Sequence, residues 1–427
     1  MNLSAKKALH GTIRVPGDKS ISHRSVMIGA IASGTTTVHG FLKGADCLST
    51  ISCFRQLGVN IEEKDDSLLI HGKGLYGLHA PSELLYTGNS GTTTRLISGI
   101  LSAQNFTSIL DGDASIQKRP MRRIIAPLTE MGADIKSLSG NDCTPLSITG
   151  ASLHGITYTM PHASAQVKSA ILLAGLYAKE PTHVTESGKT RNHTELMLHA
   201  FGGDVRTVLN TVSLYPGKRL SANSVTVPGD ISSAAYFLAA GCLIPNSQIC
   251  IENVGINETR SGILHAIEQM GGSIKIENKR YICNEPVADL IVGTSSLHGI
   301  TIEGDIIPTL IDEIPILAVM AAFCDGTTII KDAMELTVKE SNRIQAITDN
   351  LKEMGADILP TPDGMIIHGG RPLHGITVNT FHDHRIAMSF AIAALMADGT
   401  TTIHDTECIS ISYPNFFDQL SSLYKTE

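Results

Sequence analysis

The sequence predicts an α/β protein of two similar halves, each assembled from repeated small units. The chain has 427 residues, more than one hydrophobic core usually serves. The segment Val15-Pro-Gly-Asp18 recurs as Val227-Pro-Gly-Asp230, and the two prolines are 212 residues apart, close to half the chain length. A pattern of helix, glycine and strand also recurs along the chain. Together these observations favour a duplicated architecture.

The repeated unit is recognised by the way its helix ends. A helical stretch closes on a large apolar residue, glycine follows as the expected left-handed stop, and a strand begins. These glycines are Gly58, Gly132, Gly202, Gly271 and Gly355, with spacings of 74, 70, 69 and 84 residues. A final helix near Phe417–Tyr424 would supply a sixth unit, giving three per half. Such units are too long for a solenoid repeat and too few for most propellers.

Composition excludes several functional classes. The net charge of −8 argues against nucleic acid as the main partner. No run approaches the roughly 20 apolar residues that span a bilayer, and the N-terminus resembles neither a signal nor a transit peptide. Eight cysteines without a Cys-x-x-Cys pair favour reduced thiols in a cytoplasm over disulfides or a zinc site. We therefore expect a cytoplasmic protein with no membrane or nucleic-acid partner.

The two copies of the duplicated segment differ in charge. The first copy carries Lys19, His23 and Arg24, where the second has Ile231, Ala235 and Tyr236. Both copies place Asp and Ser at a predicted helix start, where free backbone N–H groups attract anions. The charged copy therefore predicts an anion site, while a capping turn with exposed charges is the ordinary alternative.

Four further segments of the first half combine cations with small polar residues, as anion sites do. Each taken alone is also compatible with a helix cap or a solvated helix start. The segments are Thr87–Arg95 before a predicted helix Arg95–Leu101, Lys118–Arg123, Ser164–Ser169 before a predicted helix Ala170–Tyr177, and Thr190–Glu195.

The second half places acids beside apolar sequence. Asp312 and Glu313 interrupt the apolar run 306–322, where a carboxylate is costly unless it is paired or used. Lys339–Arg343 gives a Lys-Glu-x-x-Arg turn, which could equally be a surface helix start. His382-Asp-His-Arg385 precedes a predicted helix Ile386–Leu395. No third or fourth ligand stands at a plausible spacing, so a metal site is disfavoured.

Taken together, these segments resemble the 5-enolpyruvylshikimate-3-phosphate (EPSP) synthase family, the 3-phosphoshikimate 1-carboxyvinyltransferases. The resemblance runs from residues 16–24 to residues 412–417. It implies the α/β enolpyruvyl transferase fold: two lobes of three βαβαββ units, an inside-out α/β barrel, and a double chain crossover. One lobe would contain residues 1–18 plus 230–427 and the other residues 19–229. The motifs at 164–168, 190–195 and 257–260 are similar to the bacterial branch that tends toward glyphosate tolerance.

The resemblance also implies the reaction, a step of chorismate and aromatic amino acid biosynthesis. The enolpyruvyl group of phosphoenolpyruvate would pass to the 5-hydroxyl of shikimate 3-phosphate, with phosphate released and without cofactor or metal, in a monomer. Asp312 would be the base for the hydroxyl, and Glu340, with Lys19, would serve the carbon. The phosphoenolpyruvate ligands would be Lys19, Gly91, Arg119, Gln166, Arg343 and Arg385. The shikimate 3-phosphate ligands would be Lys19, Ser20, Arg24, Ser164, Gln166, Arg191, Asp312 and Lys339, with Lys168 a further cation.

Two departures and two alternatives accompany this resemblance. Ile411 stands where some members carry lysine, and Leu96 follows Arg95 where some glyphosate-sensitive members have proline. The related UDP-N-acetylglucosamine enolpyruvyltransferases carry cysteine or aspartate in the loop before the arginine corresponding to Arg119, and Asp113 keeps that alternative open. A non-catalytic phosphometabolite-binding protein is the other alternative, although it would gain nothing from acids among its cations.

Overall fold

The computed structural model describes residues 1–424. Its strands β1 to β23 are, in chain order, Asn2–Ser4, His10–Ile13, Ser33–His39, Asn60–Lys64, Ser67–Lys73, Leu85–Tyr86, Thr107–Asp111, Asp134–Ser137, Leu146–Thr149, Thr157–Thr159, Thr182–Thr185, Asp204–Val208, Thr211–Tyr215, Ser224–Thr226, Gln248–Gly255, Ser273–Ile282, Glu285–Gly293, Thr301–Ile302, Thr327–Ile330, Asp357–Thr361, Gly364–His368, Thr377–Val378 and Thr400–Ile403. Its helices α1 to α13 are Lys19–Ile31, Ala45–Gln56, Gly91–Leu101, Arg122–Glu130, Ala165–Gly175, His193–Ala200, Ile231–Leu243, Gly262–Gln269, Ile307–Leu310, Ile314–Phe323, Arg343–Glu353, His384–Ala394 and Phe416–Ser422.

Small sheets repeat one strand pattern six times within the described residues. Each contains one parallel pair, such as β14 with β3 or β6 with β7, extended by an antiparallel neighbour. The orders are β14-β3-β5-β4, β6-β7-β9-β8, β10-β11-β13-β12, β16-β17-β15-β2, β18-β19-β21-β20 and β1-β23-β22. The α/β architecture of six units is therefore confirmed.

The glycines that end the helices have the left-handed backbone that the sequence predicts. Their φ values are 85°, 98°, 91°, 90° and 97° for Gly58, Gly132, Gly202, Gly271 and Gly355. The apolar residue before each glycine is buried, so every helix end is anchored in a core. Glycine fits here because a Cβ would strain a backbone of positive φ.

The chain crosses between two groups of sheets. β1 pairs with β23 and β2 with β15, whereas β14 pairs with β3. The contacts divide the described chain into two units: unit I contains residues 1–16, 228–280 and 286–424, and unit II contains residues 17–227 and 281–285. The double crossover implied by the resemblance is confirmed. The return of 281–285 to unit II was not anticipated.

Each unit has its own apolar core. In unit II the core is built around α1, α3 and α5, and in unit I around α7, α10 and α12. Every residue of α7 is buried. Within residues 1–424, no single helix is long and apolar enough to cross a membrane, although the bent pair 304–310 and 314–323, with a 110° angle, passes by length and composition.

Three helices begin earlier than the apolar pattern predicts. We expected α3 to start at Arg95, α5 at Ala170 and α12 at Ile386, but they start at Gly91, Ala165 and His384. The reason is N-capping: side chains of Ser90, Ser164 and Asp383 accept hydrogen bonds from the first-turn backbone. The polar segments therefore form the first turns of these helices, where backbone N–H groups lack helical partners.

Candidate active site

Arg24 links three helix starts in unit II. Its Nε donates to Thr194 Oγ1 (2.7 Å), Nη2 donates to Ser169 Oγ (2.8 Å), and Nη1 donates to the backbone oxygen of Ser20 (3.0 Å). Burial lowers the pKa of this guanidinium to about 10, with Glu195 acting in the opposite direction. Arg24 thus stays charged at neutral pH and fixes the first turns of α1, α5 and α6 relative to one another.

The start of α3 meets α5 through a second arginine. Arg95 Nη1 donates to Gln166 Oε1 (2.6 Å), and Gln166 Nε2 donates to Thr92 Oγ1 (3.0 Å). A Cβ on Gly91 would lie 3.0 Å from Arg95 Nη1 and 3.4 Å from Arg119 Nη1. Glycine at this position therefore lets two guanidinium groups approach the backbone closely.

Arg119 has neutral hydrogen-bond partners. Its Nη2 donates to Asn89 Oδ1 (2.6 Å) and Ser115 Oγ (3.3 Å). Its buried Nε has no hydrogen-bond partner among residues 1–424. Neutral partners fix the guanidinium in place without a counter-charge.

Lys19 and Lys168 differ in what surrounds them. Lys19 is partly exposed and pairs with Asp46 of α2. Lys168 is fully buried, with Nζ 3.0 Å from Glu186 Oε1 and 2.6 Å from Glu195 Oε1. We expected Lys168 among the cations of the ligand site; the structure encloses it between these two carboxylates, from which we infer a structural role.

The remaining predicted residues of unit II lie at the same helix starts. Ser164 Oγ accepts from the backbone of Val167 and so caps α5. Arg191 precedes α6, where His193 Nδ1 is 2.6 Å from Glu285 Oε1. We call the predicted residues brought together here the unit II cluster: Lys19, Ser20, Arg24, Gly91, Arg119, Ser164, Gln166 and Arg191.

Arg343 is the centre of the cluster in unit I. This buried side chain places Nε 2.8 Å from Asp383 Oδ2, Nη2 2.6 Å from Glu340 Oε2, and Nη1 3.4 Å from Asp312 Oδ1. Burial alone would lower the pKa of the guanidinium, but Asp383 and Glu340 outweigh that effect and raise it. Arg343 therefore holds both predicted catalytic acids as a permanent cation.

Three cations surround Asp312, which lies in the break between α9 and α10. Lys339 Nζ is 3.7 Å from Asp312 Oδ1, and Arg385 Nη2 is 3.8 Å from Oδ2, in addition to Arg343. Arg385 Nη1 also donates to the backbone oxygen of Asp312 (3.0 Å). The unit I cluster is defined as Asp312, Lys339, Glu340, Arg343 and Arg385.

The start of α12 fixes Arg385. Phe381 and His382 have left-handed backbones, with φ of 52° and 55°, immediately before the helix. Asp383 Oδ1 then accepts from the backbone of Arg385 (2.9 Å), and Ser341 Oγ donates to Asp383 Oδ2 (3.0 Å). Burial opposes ionisation of Asp383, yet Arg343 lowers its pKa below the ordinary value. Two adjacent strained residues are thus tolerated where a charged network is anchored.

Two partners of the predicted residues, Asp46 and Arg260, were not expected from the sequence. Asp46 belongs to no motif that we recognised. Arg260 was noted only as part of a motif, although its Nη2 donates to Asp230 Oδ1 (3.0 Å) in the second copy of the duplicated segment. The second copy of the duplicated segment keeps Asp230 but lacks the cations of the first copy. That difference was the sequence signal for a partner such as Arg260. Within residues 1–424, no group of three or more His, Cys, Asp or Glu side chains is placed to hold a metal ion.

Comparison with known proteins identifies the family. The family model for EPSP synthase (3-phosphoshikimate 1-carboxyvinyltransferase) matches residues 3–420. The 3-phosphoshikimate 1-carboxyvinyltransferase of Brevibacillus brevis is 54% identical over 420 residues, covering 98% of this chain and 99% of the relative. That of Bacillus cereus is 55% identical over 417 residues, covering 98% and 97%. The chain belongs to the EPSP synthase family.

Solved structures of this family agree with the fold. The EPSP synthase from Acinetobacter baumannii matches with a TM-score of 0.90 and 49% identity, covering 99% of this chain and 98% of that chain. A second structure of EPSP synthase from the same organism gives a TM-score of 0.89 at 47% identity. The enolpyruvyl transferase fold expected from the sequence is confirmed.

Proposed function

We propose that this protein is a 3-phosphoshikimate 1-carboxyvinyltransferase, which transfers the enolpyruvyl group of phosphoenolpyruvate to the 5-hydroxyl of shikimate 3-phosphate. The observation that carries the proposal is the unit I cluster. Two carboxylates, Asp312 and Glu340, are both held by the buried Arg343, with Lys339 and Arg385 beside Asp312. Acids kept among cations suit proton transfer on anionic substrates. Relatives named for this activity match nearly the whole chain.

The reaction needs one base for oxygen and one acid for carbon. In the addition step, the 5-hydroxyl oxygen bonds to C2 of phosphoenolpyruvate while Asp312 takes the hydroxyl proton. Glu340 delivers a proton to C3, and Lys19 is the second candidate for this task. In the elimination step, the carboxylate of Glu340 takes a proton back from the new methyl group, the C2–C3 double bond re-forms, and the C2–O bond to phosphate breaks, so that phosphate departs with the electron pair. The cations around Asp312 favour its charged form before the hydroxyl proton arrives.

The cations suit the two substrates, each of which carries a phosphate and a carboxylate. We assign phosphoenolpyruvate to Arg119, Arg343 and Arg385, because a planar guanidinium donates two parallel bonds to carboxylate or phosphate. Gly91 gives backbone access beside Arg119. The shikimate 3-phosphate ligands are assigned to Lys19, Ser20, Arg24, Ser164, Gln166, Arg191, Asp312 and Lys339. Since the hydrogen bonds of Arg24 already hold Ser20, Ser169 and Thr194, much of its contribution is to keep these groups in place.

The assay that tests the proposal measures phosphate release. We expect release when phosphoenolpyruvate and shikimate 3-phosphate are both present, without added metal, and none with either substrate alone. Release with UDP-N-acetylglucosamine in place of shikimate 3-phosphate would overturn the assignment in favour of the related enzyme. Absence of release with any pair would favour a binding protein.

The loop before Arg119 favours the proposed activity over the UDP-N-acetylglucosamine enolpyruvyltransferase activity. Enzymes of that related family carry cysteine or aspartate in this loop. Here Asp113 Oδ1 accepts from the backbone nitrogens of Ser115 and Ile116 (both 2.9 Å) and so caps the short helical turn that follows. The two nearest cysteines in sequence, Cys53 and Cys143, are both buried. Asp113 therefore has a local structural role.

We further propose that the enzyme belongs to the bacterial branch that tends toward glyphosate tolerance and acts as a cytoplasmic monomer. The proposal for the branch rests on the motifs at 164–168, 190–195 and 257–260. Inhibition of phosphate release by glyphosate at concentrations comparable to phosphoenolpyruvate would contradict it. Sedimentation of a dimer at assay concentrations would contradict the monomer.

A further inference from the structure

The second copy of the duplicated segment, which lacks the cations of the first, has buried polar side chains that the proposed reaction does not use. Asp230 Oδ1 caps α7 by accepting from the backbone of Ser232 (2.9 Å), and it also accepts from Arg260 Nη2 (3.0 Å). The same Nη2 donates to Ser232 Oγ (2.7 Å). All three residues are at least nine-tenths buried. The cation that the second copy lacks is therefore supplied by Arg260, and its charge is turned inward.

Glu313 continues this network toward the unit I cluster. Ser232 Oγ donates to Glu313 Oε1, and the glutamate is only 1% exposed. Its other oxygen, Oε2, has no hydrogen-bond partner among residues 1–424. Burial raises the pKa of Glu313, and Arg260 and Arg385 oppose that shift. A buried carboxyl with one unsatisfied oxygen reduces stability, so its presence next to Asp312 calls for a functional reason.

Arg385 is the residue on which the network ends. Its Nη1 lies 3.8 Å from Glu313 Oε1 and donates to the backbone oxygen of Asp312 (3.0 Å). Its Nη2 lies 3.8 Å from Asp312 Oδ2. Glu313 and Asp312, adjacent in the chain, thus both contact this guanidinium.

We propose that Ser232 and Glu313 are positioning residues, which aim the Arg385 guanidinium at phosphoenolpyruvate. This inference rests on the proposed function, in which Arg385 binds that substrate. Arg260 orients the Ser232 hydroxyl by donating to its oxygen, which leaves the hydroxyl proton for Glu313. Glu313 in turn restrains Arg385 without touching a substrate. The second copy of the duplicated segment therefore serves the reaction through a buried chain of contacts, whereas the first copy binds substrate with its own cations.

The test compares two adjacent serines. Ser232→Ala removes the donor to Glu313, whereas Ser233→Ala is the matched control, because Ser233 is equally buried in the same helical turn. For Ser232→Ala we expect the KM for phosphoenolpyruvate to rise about ten-fold, because small displacements of a substrate-positioning group are costly. The KM for shikimate 3-phosphate and the urea midpoint should change little. Ser232→Thr, which keeps the hydroxyl, should restore part of the loss.

A second variant covers the case in which Ser232→Ala folds poorly. Glu313→Gln keeps the size of the side chain and its Oε1 acceptor but removes its charge, and it should raise the same KM. If both residues act along one path, the double variant should show less than the product of the two single effects.

The outcomes separate this inference from the function on which it rests. Wild-type activity with identical kinetics for Ser232→Ala and Ser233→Ala would overturn the positioning role alone. So would equal increases of both KM values together with a lower urea midpoint, which indicate a structural role. A wild type that releases no phosphate from the two substrates would overturn the proposed function and this inference together.

Discussion

In unit II, Arg24 and Arg119 donate to neutral oxygens, whereas in unit I, Arg343 and Arg385 meet carboxylates. Arg24 donates to Thr194 and Ser169, and Arg119 donates to Asn89. Arg343, by contrast, contacts three acids. Neutral partners fix a guanidinium without cancelling its charge, so unit II keeps a positive field for anions. The paired charges of unit I instead hold the carboxylates in place for proton transfer.

The sharpest test of this comparison replaces one acid in each unit. Asp312→Asn should lower kcat about 10³-fold, because general acid–base groups contribute factors of roughly 10² to 10⁴. Binding of shikimate 3-phosphate, measured by calorimetry, should be largely kept. Asp46→Asn, which alters the partner of Lys19 in unit II, should act mainly on KM. A loss of turnover in Asp46→Asn as large as that in Asp312→Asn would show that acid chemistry is not confined to unit I.

Unlike Arg24 and Arg119, Lys168 of unit II contacts carboxylates, and its substitution tests what such a contact contributes. Lys168→Met leaves Glu186 and Glu195 without this partner in a buried site, so the free energy of unfolding should fall by about 3–5 kcal/mol. The control is Lys43→Met, which breaks the exposed pair with Glu63 and should cost less than about 1 kcal/mol. Urea unfolding measures both. Equal losses would mean that Lys168 is not the structural cation we infer.

Asp230 combines a helix cap with a buried charge. Asp230→Asn keeps a side-chain oxygen for the helix start, since asparagine is as good an N-cap as aspartate. The variant removes the carboxylate that pairs with the buried Arg260, so the free energy of unfolding should fall by about 2 kcal/mol. A urea midpoint equal to that of the wild type would contradict the buried role of the second copy.

His23 should make the stability of the fold sensitive to acid. This effect belongs to the first copy of the duplicated segment, since Ala235 occupies the matching position in the second. Burial lowers the pKa of His23 to about 3 from 6.5. Between these values the unfolded chain binds a proton that the folded chain does not, so stability falls as the pH falls from about 6.5 to about 3. The expected slope is on the order of 1 kcal/mol per pH unit. His23→Gln should flatten the stability curve in this window, whereas His265→Gln, at an exposed site, should leave it unchanged.

The fold was largely predictable because its signals are local. The helix-ending glycines and the duplicated Val-Pro-Gly-Asp segment each report a backbone requirement that the sequence shows directly. The helix starts were placed too late, because apolar periodicity begins only after the capping turn. Residues 281–285 were missed for a different reason: no local pattern records which sheet or unit a hairpin end will join.

The site divides in the same way. Motifs in a fixed order supplied the clustered residues of both units. What they could not show is which carboxylates surround each buried cation, since Lys168 and Arg343 look alike in sequence, as basic residues at predicted helix starts. Only the placement of Glu186 and Glu195 reveals that Lys168 is enclosed. The partnership of Arg260 with Asp230 likewise depends on a contact across 30 residues of chain.

The pairing of β1 with β23 has a consequence for how the protein is made. Asn2 lies opposite Thr402, so β1 leaves the ribosome 400 residues before its partner strand. At 5–20 residues per second, that interval is roughly 20 to 80 s. The three sheets of unit II, complete by residue 226, are translated well before β23. We therefore expect nascent chains to acquire protease resistance in unit II first, with β1 exposed to chaperones until β23 has been synthesised.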